Sequence, residues 1–361
     1  MSDSAHDYAF MARALQLAER GLFTTTPNPR VGCVIVKNNE IIGEGWHQKA
    51  GSPHAEIHAL MQAGMAAQGA TVYVTLEPCS HHGRTPPCAD ALIGTGVARV
   101  VAAMQDPNPH VSGSGLARLK AAGIAAECGL MEAQARTLNE GFIKRMALGH
   151  PFVRVKTASS LDGKTALSSG ESKWITGEAA RADVHRLRAR SCAILTGIGT
   201  VLADNPQMNV RGIDGARQPV KVIVDSTLQT PPDAAILQGA KTILACVAAD
   251  THKAAALEAA GAEILYLPGE HSQVNLPALL SQLAQKGINE VLTEAGSRLN
   301  GALFEAGLVD EWVQYVAPCL LGTNARPLFT LAGPASMAQR LNWQLADQRM
   351  VGRDIRLIWR K

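Results

Sequence analysis

Short apolar runs alternate with helix-length stretches along almost the whole chain, and this alternation constrains the fold more than any other feature of the sequence. The first half contains the runs VGCVIVK, IIGEGW, TVYVT and RVVAAM, and the second half contains FVRVKTA, CAILTG, VKVIVDS, TILACV, EILYLP and EVLTEAG. Strands that alternate with helices are typical of α/β folds with largely parallel sheets. The pattern therefore predicts an α/β protein.

Two local signals refine this topology. Asn38 and Asn39 stand between the first two apolar runs, where asparagines favour a tight turn, so we expect an antiparallel hairpin. The tripeptide GHP at 149–151 ends a helical stretch directly before a new apolar run. We place the domain boundary there, which predicts domains 1–148 and 149–361.

Composition and charge exclude several functional classes. The 361 residues, 47% of them hydrophobic, can bury two cores of ordinary domain size. The formal net charge is +3 without a Lys/Arg-rich run, so we expect no nucleic-acid partner. The first residues do not resemble a signal peptide and no apolar run reaches about 18 residues, so we expect a cytoplasmic protein without a membrane partner. Seven cysteines argue against a disulfide framework and leave the thiols as buried groups or ligands.

Four residues of the first half form a pattern that suits a catalytic zinc ion: His54, Glu56, Cys79 and Cys88. One imidazole and two thiolates are three ligands, the number that leaves a catalytic zinc one open position for water. The cysteines follow prolines at a strand end and a helix start, and a helix N-terminus stabilises a thiolate. Side chains two residues apart on a helix point in different directions, so Glu56 is predicted to move protons instead of binding the metal.

The spacing of these residues distinguishes one family from zinc nucleobase deaminases in general. Zinc nucleobase deaminases carry H-x-E and P-C-x-x-C, but here eight residues, not two, separate Cys79 from Cys88. The expanded form EPCSHHGRTPPC resembles the bifunctional pyrimidine deaminase/reductase family of riboflavin biosynthesis, the RibD family. TTPNPRVGCVIV, GWHQKAGSPHAE, VRVKTASSLDGKTA, SKWIT, HRLRARSCAILTGIGTVLADNP and TEAGSRLNGALF extend the resemblance over nearly the whole chain.

The resemblance implies a fold, two reactions and two cofactors. The N-terminal domain would be cytidine-deaminase-like, αβα with a mixed sheet, and the C-terminal domain would be a dihydrofolate-reductase-like α/β domain. A zinc site would remove an amino group hydrolytically from a phosphoribosylamino-diaminopyrimidinone, a small-molecule substrate. NADPH would then reduce the ribose to a ribityl chain. The family also suggests a homo-oligomer, associated through the reductase domain.

The resemblance further implies the site residues of the second domain. Contacts to NADPH are expected from Ala158, Trp174, Thr200, Asp204, Ser226, Gly296, Ser297, Arg298, Leu299, Asn300, Gly301 and Ala302. Contacts to substrate are expected from Ser172, Arg188, Met208, Arg211 and Glu294, and in the first domain from Asn28. Lys156 and Asp162 would lie beside the cleft without an assigned role.

Simpler interpretations stand beside these assignments. The zinc set could be two core cysteines, a capping histidine and a surface glutamate, and Asn28 could be an ordinary turn residue between prolines. His58, His81 and His82 are expected to be structural, solvating or substrate-contacting, because three ligands already suffice. TGIGTVLAD lacks a third glycine and fits an ordinary strand-to-loop turn equally well. Arg181, His185 and Arg188 fall on one helical face, which could bind phosphate or be a solvated basic face.

Two rival functions remain at this stage. One is a nucleic-acid base deaminase joined to an unrelated reductase, which the expanded cysteine spacing and the missing basic stripe disfavour. The other is a zinc-stabilised binding protein without catalytic activity, in which Glu56→Gln would change nothing.

Overall fold

The computed structural model describes residues 3–81, 86–109, 111–248 and 250–361. The chain divides into two compact units, Met1–His150 and Pro151–Lys361. None of the described helices is long and apolar enough to cross a membrane.

The first unit is built on a mixed sheet of order β2-β1-β3-β4-β5 in the described residues. The β1–β2 and β1–β3 pairs are antiparallel, and the β3–β4 and β4–β5 pairs are parallel. Asn38 and Asn39 form the predicted hairpin turn, both with positive φ. The elements are α1 (Asp3–Glu19), β1 (Gly32–Lys37), β2 (Glu40–Trp46), α2 (Ala55–Ala63), β3 (Thr71–Val74), α3 (Cys88–Thr95), β4 (Arg99–Ala102), α4 (Ser114–Ala121), β5 (Ala125–Cys128), α5 (Glu132–Leu138) and α6 (Glu140–Leu148).

Helices cover both faces of this sheet, and glycines in the strands allow these helices to pack closely against it. A Cβ on Gly32 of β1 would lie 2.0 Å from the Ala14 carbonyl oxygen of α1, and one on Gly45 of β2 would lie 2.3 Å from the Ala55 carbonyl oxygen of α2. Gly45 pairs with Cys33, the neighbour of Gly32, so the two glycines face opposite sides of the sheet. Only glycine lets the first turn of α2 lie this close to β2.

The second unit is built on a sheet of nine described strands in the order β11-β10-β9-β8-β12-β6-β13-β16-β15. The strands from β11 to β13 in this order are parallel, and β16 and β15 add to them antiparallel. The elements are β6 (Phe152–Ser159), β7 (Lys164–Ala166), α7 (Glu178–Arg190), β8 (Ala193–Gly197), α8 (Ile198–Asp204), β9 (Val220–Val224), β10 (Thr242–Cys246), α9 (Thr251–Ala259), β11 (Ala262–Tyr266), α10 (Leu276–Gln285), β12 (Glu290–Thr293), α11 (Ser297–Glu305), β13 (Glu311–Val316), β14 (Arg326–Pro327), β15 (Gln344–Val351) and β16 (Asp354–Arg360).

Two features of this unit were not expected from the sequence. The segment after β8 does not form an ordinary loop: it enters α8 directly at Ile198, with Gly197 as the N-cap. A small second ladder also pairs β7 with β14. Both features lie on the side of the sheet where the parallel strands end, so they help to shape the cleft described below.

Candidate functional site

Three predicted ligands of the first unit converge from three separate segments. His54 is the N-cap of α2, with extended backbone angles, and Cys88 is the first residue of α3 after the N-cap Pro87. Cys79 lies five residues beyond the end of β3, not at the strand end itself. His54 thus directly precedes α2, whereas Glu56 lies in the first turn of that helix.

The spacing of the three side chains fits a tetrahedral metal ion. His54 Nδ1 lies 3.2 Å from Cys88 Sγ and 3.6 Å from Cys79 Sγ. All three ligand atoms lie within 4.8 Å of one another. An ion with bonds of about 2.0–2.3 Å separates tetrahedral ligands by roughly 3.5 Å, so zinc can be bound here without rearrangement.

The two thiols are electrostatically different when no dication lies between them. The Cys88 thiol donates a hydrogen bond to Cys79, which lowers the pKa of Cys79 and raises that of Cys88. The Cys88 backbone N–H also donates to Cys79 Sγ at 3.3 Å. A bound dication would favour the thiolate at both positions, because it is the largest local charge.

Glu56 is buried beside this cluster, with 3% of its surface exposed. Burial raises the pKa of its carboxyl group to about 7, although the neighbouring His54 ring opposes the shift. A carboxyl group with such a pKa exchanges a proton readily near neutral pH. The position and protonation of Glu56 thus suit proton transfer beside the metal.

Sequence analysis missed Glu77, which organises the segment that contains Cys79. Its buried carboxylate accepts hydrogen bonds from four backbone N–H groups: Asp106 (3.1 Å), Gly113 (2.9 Å), Gly115 (2.8 Å) and Leu116 (3.2 Å). The only available signal was an acidic residue directly after an apolar run. Because its partners lie about 30 to 40 residues later in the chain, the sequence did not reveal them.

His47 was also missed, and it explains the orientation of Asn28. Nε2 of the His47 ring accepts from the Asn28 side-chain amide at 3.0 Å, so Nδ1 donates to the Pro53 carbonyl oxygen at 3.2 Å. The ring is 2% exposed and packs edge-on against His54, with centroids 5.4 Å apart. Asn28 is thus held by a residue next to a metal ligand instead of being an isolated turn residue.

Neither His58 nor His81 joins the cluster of metal ligands. His58 does not belong to the group of converging ligands, and its Nε2 is buried without a hydrogen-bond partner in the described part of the chain. His81 is exposed. His82 lies outside the described residues.

The second unit contains a cleft of about 1990 Å³ at the carboxyl ends of its parallel strands, the usual ligand position in such sheets. The cleft is lined by nearly all the residues predicted for NADPH and substrate in this unit: Ala158, Ser172, Trp174, Arg188, Thr200, Asp204, Met208, Arg211, Ser226, Glu294, Gly296, Ser297, Arg298, Leu299, Asn300 and Ala302.

Gly301 and Asp162 do not line this cleft. A Cβ on Gly301 would lie 2.0 Å from the Thr330 carbonyl oxygen, so close packing explains the glycine, and its contact to the cofactor stays a prediction. The Asp162 carboxylate instead accepts backbone N–H bonds from Leu321 and Gly322, at 3.1 and 2.7 Å.

Polar groups of opposite charge meet in the cleft. Arg188 forms a two-point ion pair with Glu294, with Nε–Oε1 and Nη2–Oε2 distances of 2.5 and 3.0 Å. Burial opposes ionisation of Glu294, but the charge of Arg188 and its hydrogen bonds keep the pKa of Glu294 below its ordinary value. Lys156 also lines the cleft, and burial lowers its pKa. The N-terminus of α11 has no side-chain cap, which leaves its backbone N–H groups available to a phosphate.

Comparisons with known proteins agree with both units. Residues 4–104 match the cytidine and deoxycytidylate deaminase zinc-binding region, and residues 151–357 match the RibD C-terminal domain. The riboflavin biosynthesis protein RibD of Escherichia coli is 51% identical over 97% of this chain and 98% of its own length.

Solved structures extend the likeness to three dimensions. Acinetobacter baumannii RibD is 48% identical, with a TM-score of 0.93 and 99% of both chains covered. The diaminohydroxyphosphoribosylaminopyrimidine deaminase/5-amino-6-(5-phosphoribosylamino)uracil reductase of Thermotoga maritima is 33% identical, with a TM-score of 0.88 and 99% of both chains covered. These comparisons confirm the predicted fold class and the two predicted cofactors, zinc and NADPH. The chain belongs to the RibD family of riboflavin biosynthesis proteins, with a zinc-dependent deaminase in its first unit and an NADPH-dependent reductase in its second.

Proposed function

We propose that the two units act in sequence on one phosphoribosylaminopyrimidine. The deaminase unit converts 2,5-diamino-6-(5-phosphoribosylamino)pyrimidin-4-one to 5-amino-6-(5-phosphoribosylamino)uracil, and the reductase unit then reduces the ribosyl group of that product to ribityl. The observation that carries the proposal is the convergence of His54, Cys79 and Cys88 beside buried Glu56. The Thermotoga relative carries both activities in its name.

In the deaminase site, this chain's residues bind the metal and move protons. Zinc held by His54, Cys79 and Cys88 would supply Lewis acidity that makes water a nucleophile near neutral pH. Glu56 takes the proton of the attacking water, gives it to the ring nitrogen next to the amino-bearing carbon, and then assists the departure of ammonia. The raised pKa of Glu56 suits it both to accept and to donate a proton near neutral pH. Asn28, oriented by His47, contacts the pyrimidine.

In the reductase site, the protein binds and orients two phosphorylated molecules. When bound, NADPH would supply the hydride that reduces C1′ of the opened ribosylamine. The free N–H groups at the start of α11 bind a cofactor phosphate, and Trp174, Thr200, Asp204 and Ser226 hold the rest of the cofactor. Arg188 and Arg211 anchor the sugar phosphate, with Ser172, Met208 and Glu294 beside it.

We also propose that the chain self-associates through the reductase unit. Strand β15 is the edge of the nine-stranded sheet, and its Leu345 and Met350 side chains are 49% and 63% exposed. An unpaired edge strand with exposed apolar side chains readily pairs with a second copy. Met350→Lys should then lower the mass found by light scattering, and an unchanged mass would contradict this interface. A cytoplasmic location is proposed as well, because zinc-binding thiols need a reducing compartment.

A stepwise assay on the purified full chain tests the proposed reactions. With the diaminopyrimidinone substrate alone, one ammonia should be released per molecule in the absence of NADPH. Addition of NADPH should then start its oxidation, and the deaminated compound supplied directly should give the same oxidation without ammonia. NADPH oxidation on the undeaminated compound, with no ammonia released, would contradict the proposed order.

A further inference from the structure

The segment 207–211 of the reductase cleft has an irregular backbone that other parts of the unit hold in place. Met208 lies in the left-handed region, with φ of 49°, which is unfavourable for a residue with a side chain. At the end of the segment, the Arg211 backbone N–H donates to Nδ1 of His185, on helix α7, at 3.1 Å. His185 was noted in the sequence only as part of a basic helical face.

Two further side chains support the same segment. Arg188, one turn after His185 on α7, donates from Nη1 to the Asn209 carbonyl oxygen at 3.0 Å. Gln218 accepts from the Val210 N–H at 2.8 Å and donates to the Val210 carbonyl oxygen at 3.1 Å. The segment is therefore placed by side chains, and His185 is the partner of the backbone of Arg211.

The bond to Arg211 determines where the proton of the His185 ring lies. Because Nδ1 accepts a hydrogen bond, the neutral ring must carry its proton on Nε2. His185 lines the cleft, and Nε2 forms none of the hydrogen bonds between side chains and backbone in the described parts of the chain; the Asn209 carbonyl group, which also lies close to the ring, accepts from Arg188. The ring thus offers an N–H donor that the protein itself does not use.

The charges around His185 keep its ring neutral, and they favour the binding of an anion beside it. Burial lowers the pKa of His185, and the cations of Arg188 and Arg211 lower it further, whereas Glu294 and the Asn209 carbonyl group act in the opposite direction. Arg188 is already paired with Glu294, but the Arg211 guanidinium has no hydrogen-bond or ion-pair partner among the described residues. An anion beside Arg211 would balance this charge.

We infer that His185 binds and positions the phosphate of the reductase substrate. Its Nε2–H donates to a phosphate oxygen, while its Nδ1 fixes the backbone from which the Arg211 side chain reaches the same phosphate. The inference rests on the proposed reduction of a sugar phosphate, and it adds a residue whose two ring nitrogens have separate tasks.

Three variants separate these tasks. His185→Asn places an amide oxygen near the position of Nδ1, so it keeps the Arg211 contact but loses the Nε2 donor. His185→Gln can place an amide N–H near the position of Nε2 but loses the acceptor, and His185→Leu loses both. Arg186→Ala is the matched control, since Arg186 is exposed on the same helix and does not line the cleft.

The expected result is a change in KM for the deaminated sugar phosphate without a matching change in kcat. His185→Asn should raise this KM about ten- to 100-fold, the effect of one lost hydrogen bond to an anion, and His185→Leu should raise it further. KM for NADPH should stay unchanged, as should both constants in Arg186→Ala. Equal constants in wild type and His185→Leu would overturn the inference, and so would a loss confined to kcat.

Nitrogen-15 NMR of the histidine rings provides a readout that does not need turnover. The His185 signal is the one that is absent from the spectrum of His185→Asn. In the full chain with NADP⁺ bound, this signal should have the chemical shift of the Nε2–H form, and it should move when ribose 5-phosphate is added. An Nδ1–H form, or no response to ribose 5-phosphate, would overturn the inference.

The two assays together distinguish a failure of the inference from a failure of the proposed function. If ribose 5-phosphate shifts the signal but the deaminated compound is not reduced, the proposed function fails while the phosphate site stands. If the compound is reduced equally by all variants, the function stands and the role of His185 fails.

Discussion

Replacement of Glu77 by glutamine tests how the cysteine-bearing segment of the deaminase site is held. The carboxylate accepts four backbone N–H groups, two on each oxygen. A glutamine offers one acceptor oxygen, so two N–H groups would face an amide NH₂ instead. Each buried N–H left without an acceptor costs about 1–3 kcal/mol, so the expected loss is about 2–6 kcal/mol. Cys79 is two residues away, and we therefore expect weaker zinc retention as well.

Hydrogen exchange of the peptide that spans 105–118 measures this effect locally in the zinc-loaded chain. The amides of Gly113, Gly115 and Leu116 should exchange at least about ten-fold faster in Glu77→Gln, since about 1.4 kcal/mol corresponds to ten-fold. Zinc transfer to a chelator should also be faster. Glu132→Gln is the control, because its carboxylate makes an exposed pair with Arg136 that is worth about 0.3–0.5 kcal/mol. Exchange and zinc transfer equal to those of the control would refute the reasoning.

Three further predictions follow from named contacts. Cys88→Ala should abolish zinc binding and ammonia release but leave NADPH oxidation with the deaminated compound intact; metal analysis with both assays checks this, and a joint loss of activities contradicts it. Arg188→Lys cannot keep the two-point pair with Glu294, so KM for the sugar phosphate should rise about ten-fold or more while KM for NADPH stays constant. The hydrogen bond from Arg99 holds the pKa of Asp7 below its ordinary value, so this stabilisation is present above about pH 4 and is lost as the pH falls through the folded-state pKa. The difference between the free energies of unfolding of wild type and Asp7→Asn should therefore shrink as the pH falls below about 4, and a constant difference would contradict the assignment.

The sequence predicted those features that depend on local chemistry. Paired asparagines marked the hairpin turn, and the prolines before Cys79 and Cys88 marked irregular backbone beside the ligands. Apolar runs located the strands because buried parallel strands are almost continuously apolar. The antiparallel hairpin of β1 and β2 and the largely parallel sheet of the second unit agree with these predictions.

Features that depend on distant partners were not predicted. Helix α8 begins at Ile198 and its N-cap Gly197 has no side chain, so its start carried no signal; Asn205, with φ of 40°, was the available sign of its end. Glu77 binds backbone groups that any residue type can present, which leaves no pattern in the sequence. The role of His185 likewise depends on a backbone N–H 26 residues away.

The central claim is that Glu56 transfers protons beside a zinc ion that other residues hold. The most direct test is Glu56→Gln, assayed for bound zinc, for ammonia release and for NADPH oxidation on the deaminated compound. Zinc content and NADPH oxidation should match wild type, while ammonia release should fall by about 100-fold or more, the usual contribution of a general acid–base group. Wild-type ammonia release with zinc bound would contradict the account.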